Sequence, residues 1–303
     1  MLPPVSVVAA ALSSASAPRA PGVRVEFIKY HGLGNDFLVF ERGLDGVRSL
    51  TPAEVVAVCD RRFGVGADGV VFARPSDTAA LRMELTNSDG STPEMCGNGL
   101  RCLVAYAVDH LGFDANPLPV ETLAGVLDCA WSKDPSGHVD TVRVAMGRPT
   151  FERAQIPVAG EGDALSLEVA TPSRTFVGTG VGTGNPHYVI FGDARRETAE
   201  TFGPAVERHP LFPRGTNVEF AEVLTPDHIR LTVWERGCGL TMACGTGATA
   251  TVAAAVRLGH VSPDQPIRVS LPGGDLAITV SAALDAATME GPAREVFRGR
   301  IPL

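Results

Sequence analysis

Two cysteines stand at the head of matching segments. Met95-Cys96-Gly97-Asn98-Gly99 runs on into Leu100 to Val108, and Ala243-Cys244-Gly245-Thr246-Gly247 runs on into Ala248 to Val256. A thiol at the entrance of a helix is a reactive thiol, because the macrodipole and the free N–H groups there favour the thiolate. Two such thiols, one in each copy of a repeated segment, suggest paired catalytic groups facing each other across a cleft. Nine positions before Cys244 lies Glu235-Arg236-Gly237, and nine before Cys96 lies Asn87-Ser88-Asp89-Gly90. Arg236 has the fork geometry to clamp a carboxylate and Glu235 the charge to accept from an ammonium, which are the two needs of an amino-acid ligand. The plainer readings are an exposed ion pair and an Asx turn. Their equal distance from the two cysteines favours the ligand reading.

The elements that must carry these residues are legible as a duplication. Gly32-Leu33-Gly34-Asn35 is echoed by Gly182-Thr183-Gly184-Asn185, and Val120 to Leu127 by Val269 to Leu276, at nearly the same offset as the cysteines. Leu100, Leu103, Val104, Ala107, Val108 and Leu111 fall on one stripe of an amphipathic helix, as do Ala248, Thr251, Val252, Ala255 and Val256. The spacing predicts strands near 25–30, 37–41, 69–73, 81–86, 119–122, 126–131 and 139–145. A helix is predicted over 52–62, opened by Thr51-Pro52. The expected fold class is α+β, in two pseudo-symmetric halves with the active site between them. Each half is a curled mixed or antiparallel sheet wrapped around a central helix. The expected division is a disordered extension at 1–23, halves at 24–146 and 147–289, and a final strand at 290–303.

Composition removes several classes. A net charge of −8 argues against a nucleic-acid partner, and no apolar run reaches the ~18 residues that a membrane helix needs. Lys29 and Lys133 are the only lysines, so a pyridoxal Schiff base has one strand candidate, Lys29, and is not expected. Cys96/Cys102 and Cys238/Cys244 share a Cys-x5-Cys spacing that does not make a zinc knuckle. Packing accounts for Cys59, Cys129, Cys102 and Cys238. A disulfide framework does not suit a chain of this size without an export signal. Gly64-Val65-Gly66-Ala67-Asp68-Gly69 fits the dinucleotide pattern, but the order of elements around it is wrong for that use, and a glycine turn is the better reading. His187, Asp68 and Asp89 have no ligand-like spacing, so no metal is expected. Residues 1–23 are rich in Ala, Ser and Pro and lack a basic start, so an organelle transit segment competes with plain disorder.

At these residues the chain resembles diaminopimelate epimerase, a cofactor-independent enzyme of lysine and peptidoglycan-precursor synthesis. The resemblance runs through Lys29 to Phe37, Asn87-Ser88-Asp89-Gly90, Glu94 to Gly99, Gly184-Asn185-Pro186-His187, Asn217-Val218-Glu219, Glu235-Arg236-Gly237 and Ala243 to Gly247. The motifs come in the family's order over nearly the whole chain. It implies interconversion of LL- and meso-2,6-diaminoheptanedioate, with Cys96 and Cys244 as the thiolate/thiol pair. It implies that Gly97, Asn98, Gly245 and Thr246 hold the reacting carboxylate at two helix ends. It implies that Asn35, Asn87, Asn185, Asn217, Glu235 and Arg236 hold the distal end, and that His187 and Glu235 tune the protonation of the pair. No cofactor is implied; the partner is the small-molecule substrate. A cytoplasmic location is expected, organelle-targeted if residues 1–23 are a transit segment, and a homodimer is one expectation that the residues leave open. One departure is Gly69, where some members carry a substrate-contacting glutamine. The competing readings are a proline or hydroxyproline racemase and a binder that has lost its chemistry.

Overall fold

Thr51 opens the first helix with a reciprocal cap: its hydroxyl accepts from the Glu54 N–H, and the Glu54 carboxylate accepts from the Thr51 N–H at 2.8 Å. That helix lies in a computed structural model that describes residues 24–40, 48–93 and 95–302; the extension expected at 1–23 is outside them. The first run of elements is β1 (Arg24–Gly32), β2 (Asn35–Phe40), α1 (Pro52–Cys59), β3 (Gly69–Arg74), β4 (Leu81–Asn87), α2 (Gly97–His110), β5 (Leu118–Thr122), β6 (Gly125–Lys133) and β7 (Val139–Gly147). The second is β8 (Leu167–Ala170), β9 (Thr175–Gly182), β10 (Pro186–Phe191), α3 (Arg196–Glu207), β11 (Asn217–Thr225), β12 (His228–Glu235), β13 (Gly239–Leu240), α4 (Gly245–Arg257), β14 (Ile267–Leu271), β15 (Gly274–Val280), β16 (Ala287–Pro292) and β17 (Arg294–Pro302).

The two runs repeat one pairing scheme. An antiparallel hairpin (β1–β2, β9–β10) leads to a parallel pair (β2–β3, β10–β11) and an antiparallel pair (β3–β4, β11–β12). After the central helix come a parallel pair (β4–β5, β12–β14) and a meander (β5–β6–β7, β14–β15–β16). Register repeats as well: Phe37 faces Gly69 in the first parallel pair, and His187 faces Asn217 in the second. Strand β7, which ends the first run, and β16, the last but one of the second, pair antiparallel and join the sheets edge to edge. The chain then returns, and β17 lies antiparallel beside β1, Arg24 opposite Pro302.

The helices depart from the expected stripe. All of Gly97 to Val108 in α2 and all of Gly245 to Ala255 in α4 are buried, Arg101, Tyr106, Thr249 and Thr251 included. Each helix is enclosed by its sheet and touches the other helix, so no face is left for solvent. Thr249 and Thr251 meet this burial by donating their hydroxyls to the Gly245 and Gly247 carbonyls four residues back. Helix α1 also ends earlier than expected, at Cys59 rather than residue 62. There the Asp60 carboxylate takes the N–H groups of Arg62 and Phe63, and the chain turns toward Gly64. The Gly64–Gly69 segment is a turn running into β3, as a glycine turn should be. Cys59, Cys102 and Cys129 are buried, but Cys238 is exposed in the turn between β12 and β13, against the packing expected for it.

Candidate active site

Cys96 and Cys244 are the N-cap residues of α2 and α4. Each thiol sulfur accepts the backbone N–H three residues on, from Gly99 at 3.4 Å and from Gly247 at 3.3 Å. Both cysteines are free thiols, Cys96 half-buried and Cys244 buried. The amides of Gly97, Asn98, Gly245 and Thr246 belong to the first helical turn, where intrahelical acceptors do not exist; they are anion-binding groups by position. Gly97 and Gly245 have a common reason to be glycine. A Cβ at either place would fall 2.6 Å from the side chain of Met289, whose thioether on β16 is wedged between the two helix entrances.

Asn98 ties the entrances together. Its amide donates to the Ala243 carbonyl, next to Cys244, at 3.2 Å, and to Asn35 Oδ1 at 3.0 Å, while its oxygen accepts from Arg101 at 2.9 Å. Asn35, at the start of β2, also faces the Cys96 sulfur at 4.0 Å and donates to Asp68 at 2.8 Å. On the other side, His187 on β10 is fully buried between Glu219 and Asn185, 2.6 and 2.7 Å from its two ring nitrogens. Asn217 accepts from the Arg236 N–H and donates to the Pro186 carbonyl, both at 2.9 Å, which fixes the strand ends that carry Arg236 and Asn185. Thr241 donates to Glu235 at 2.5 Å. Asn87, at the end of β4, is held by Ser91 and lies opposite Gly69 in register.

The electrostatics of the two thiols differ. Burial pushes the Cys96 thiol up to about 11, with Glu235 adding to the rise; the Gly99 and Asn98 N–H groups and the Arg101 guanidinium oppose it. Cys244 is driven further, well above the ordinary thiol value, by burial and by the carboxyls of Glu235 and Glu219; Thr246 and the Gly247 N–H oppose that rise. Burial also raises Glu235 and Glu219, and His187 pulls both back. The second Glu219 oxygen is buried without a hydrogen-bond partner among the described residues. Beside Asn185 and Arg236 opens a cavity of ≈ 720 Å³ whose walls include Arg148, Phe151, Arg214 and Arg257; the cysteines do not line it.

Residues given no role from sequence are Asp68, Arg101, Glu219, Thr241 and Met289. Glu219 lies in the Asn217-Val218-Glu219 run of β11, two residues from Asn217 and so on the same side of the strand. Arg101 bonds the Pro292 carbonyl and Met289 packs against Gly97 and Gly245, contacts between segments far apart in the chain. Gly69 leaves no room for the family's glutamine: a Cβ there would fall 2.7 Å from the Thr86 carbonyl and 3.3 Å from the Phe37 ring. Among the described residues no cluster of three His, Cys, Asp or Glu side chains is arranged to hold a metal ion.

The family model described as diaminopimelate epimerase matches residues 27–152 and 179–296. A curated protein from Moorella thermoacetica called diaminopimelate epimerase is 46% identical over 281 residues, covering 92% of this chain and 100% of its own. One of the same name from Heliobacterium modesticaldum is 44% identical, again over 92% of this chain and 100% of its own. A solved hydroxyproline epimerase from Agrobacterium vitis shares the fold with a TM-score of 0.66 at 16% identity, over 92% of this chain and 91% of that one.

Proposed function

The chain belongs to the diaminopimelate epimerase family, and from that premise we propose how its residues perform the inversion. The protein is an isomerase that interconverts LL- and meso-2,6-diaminoheptanedioate. Inversion at one α-carbon needs a base on one face and an acid on the other. In the proposed step the Cys96 or Cys244 thiolate takes the α-proton, and the electron pair stays on carbon and its carboxylate. The opposite thiol then delivers its proton to the other face. The pair ends with its proton exchanged between sulfurs, and the reverse reaction uses it the other way round.

What supports this reading above all is the identical placement of the two thiols: each caps a buried helix entrance, and Asn98 hydrogen-bonds one entrance to the other. The Gly97–Asn98 and Gly245–Thr246 amides are the proposed holders of the reacting carboxylate, where charge grows as the proton leaves. Asn35, Asn87, Asn185, Asn217, Glu235 and Arg236 are proposed for the distal amino-acid end, and His187 and Glu235 for setting the protonation of the thiol pair. The halves that meet at the site are proposed as 24–146 and 147–289.

The decisive experiment is isotope exchange. In D2O the reduced protein places deuterium on one α-carbon of LL-diaminopimelate as the meso form appears. Cys96→Ala and Cys244→Ala each abolish net epimerisation. Near-normal turnover by either variant would falsify the two-thiol assignment, and turnover of proline with none of diaminopimelate would move the chain to the racemase reading.

A further inference from the structure

Away from the thiols the two copies differ in charge. At the offset that relates the two cysteines, Arg214, Arg236 and Arg257 of the second copy stand where the first has Gly66, Ser88 and Asp109. The same fold is built on either set, so the three guanidinium groups answer to no demand of the backbone. A cation in the last turn suits the end of α4, which accounts for Arg257 alone. Yet all three line one cavity of ≈ 720 Å³, joined there by Arg148 from the segment that follows β7.

Contacts around the rim hold the cavity in shape. Thr150 and Gly182 exchange both backbone hydrogen bonds, at 2.9 and 2.8 Å, and close it on the side of β9. A Cβ on Gly182 would fall 2.6 Å from the Thr150 side chain, so the segment after β7 lies directly on that strand. The Arg236 guanidinium donates to the Arg214 carbonyl at 3.3 Å, which sets these two arginines side by side. Arg257 lies 6.0 Å from the centre of the Phe151 ring, at the outer range of a cation–π contact. None of the four guanidinium groups has a carboxylate partner among the described residues. Elsewhere on the surface Arg143, Arg196, Arg230 and Arg294 each hold one. The acids on the cavity wall bond to other groups: Glu152 accepts from Gln155 at 2.5 Å, and Asp163 from the Leu165 N–H at 3.3 Å.

We propose that this cavity is a binding site for a small polyanion, a molecule that carries more than one carboxylate or phosphate group and no balancing ammonium. Guanidinium forks without a protein partner recognise both kinds of group, and the volume is that of a small-molecule site. Arginines spread around the wall suit several anionic groups better than one. Asn185 and Arg236 also belong to the residues proposed for the distal end of the substrate, so an occupant of the cavity competes with substrate for them. That competition rests on the proposed active site; the binding itself does not.

Titration calorimetry of the full-length protein with citrate, and separately with inorganic phosphate, reads the binding at an ionic strength held constant with sodium chloride. Citrate binds one to one. Arg148→Gln and Arg257→Gln in one chain weaken it about tenfold or more, the loss expected for charge-assisted hydrogen bonds. Arg196→Gln, on the α3 surface, leaves it unchanged. The matching pair of lysine substitutions keeps more of the binding than the glutamine pair, which separates charge from packing. Initial rates on LL-diaminopimelate show citrate raising KM with kcat unchanged; the glutamine pair keeps the parent's rates without citrate and loses the response to it. Citrate tighter than phosphate assigns carboxylates to the ligand, and the reverse assigns phosphates. No heat with either anion at millimolar concentration, or equal heat in the glutamine pair, overturns the site. Citrate binding with an unmoved KM overturns the competition. Because calorimetry needs no turnover, a chain that binds citrate without epimerising would sink the enzyme reading and leave the site standing.

Discussion

Gly99 and Gly247 are the third residues of α2 and α4, and each gives its N–H to the cysteine three places earlier. Symmetry would have them respond alike to a methyl group; the structure says otherwise. A Cβ at 99 meets Cys96 Sγ, Leu85 and Phe37, all at 3.6 Å, which is ordinary contact. At 247 it meets Glu219 Oε1 at 2.9 Å and Cys244 Sγ at 3.1 Å. Neither neighbour can yield easily, because that oxygen is locked 2.6 Å from His187 with both side chains fully buried. Exchanging glycine for alanine inside a helix is worth up to about 1 kcal/mol, and less in the first turn; overpacking a rigid site costs about 1–3 kcal/mol. Gly247→Ala is therefore destabilising by roughly 1–2 kcal/mol, a fall in Tm of roughly 2–6 °C, whereas Gly99→Ala leaves Tm unchanged or slightly raised. Displacing Cys244 by a fraction of an ångström lowers kcat/KM in the first variant on the order of 10-fold; the second stays within about twofold of the parent. Thermal unfolding beside initial rates of meso-diaminopimelate formation reads both. If Gly247→Ala proved as stable and active as the parent, or Gly99→Ala equally damaged, the chemical inequivalence of the two helix entrances would be wrong.

Two further outcomes concern buried polar groups. Cys102 and Cys129 are fully buried and both pushed up to about 12. Their folded values lie above the unfolded thiol value, so the stabilisation is complete below about pH 9 and is lost as pH rises toward 12, by about 1.4 kcal/mol per pH unit for each thiol. Urea unfolding at pH 8, 9 and 10 should show that decline, and a flat profile would contradict it. Asn217→Ala leaves the Arg236 N–H and the Pro186 carbonyl without their partner, at a cost of about 1–3 kcal/mol. Unfolding and kcat/KM on LL-diaminopimelate should both fall, and no change in either would remove Asn217 from the site.

The strands and both cysteine-led helices were legible because their signals are local. Thr51-Pro52 marks a helix start, and Gly-x-Gly-Asn marks a turn into β2 and β10. The duplication made the cysteines legible as a pair, since nearly the same offset recurs at three places. What could not be read depends on contacts between distant segments. The apolar stripe of α2 gave no warning that Arg101 and Tyr106 on its other faces are buried too, because the enclosing sheet is assembled from strands on both sides of the helix in sequence. Gly97 and Gly245 look like ordinary helix-entrance glycines until Met289 is seen between them. Cys238 read as core because most free cysteines are; its place in a turn is set by the pairing of β12 with β13.

The strand β17 has a consequence for how the molecule is made. It pairs with nearly all of β1, from Arg24 opposite Pro302 to His31 opposite Arg294. Until β17 arrives, one side of β1 is a row of unpaired N–H and C=O groups, open to whatever strand comes near. Synthesis runs from the N-terminus, and domains ordinarily fold as they emerge. Here β1 to β7 can gather around α2, yet their sheet stays unfinished while all of β8 to β16 is translated. The half of the molecule that is synthesised first is completed last.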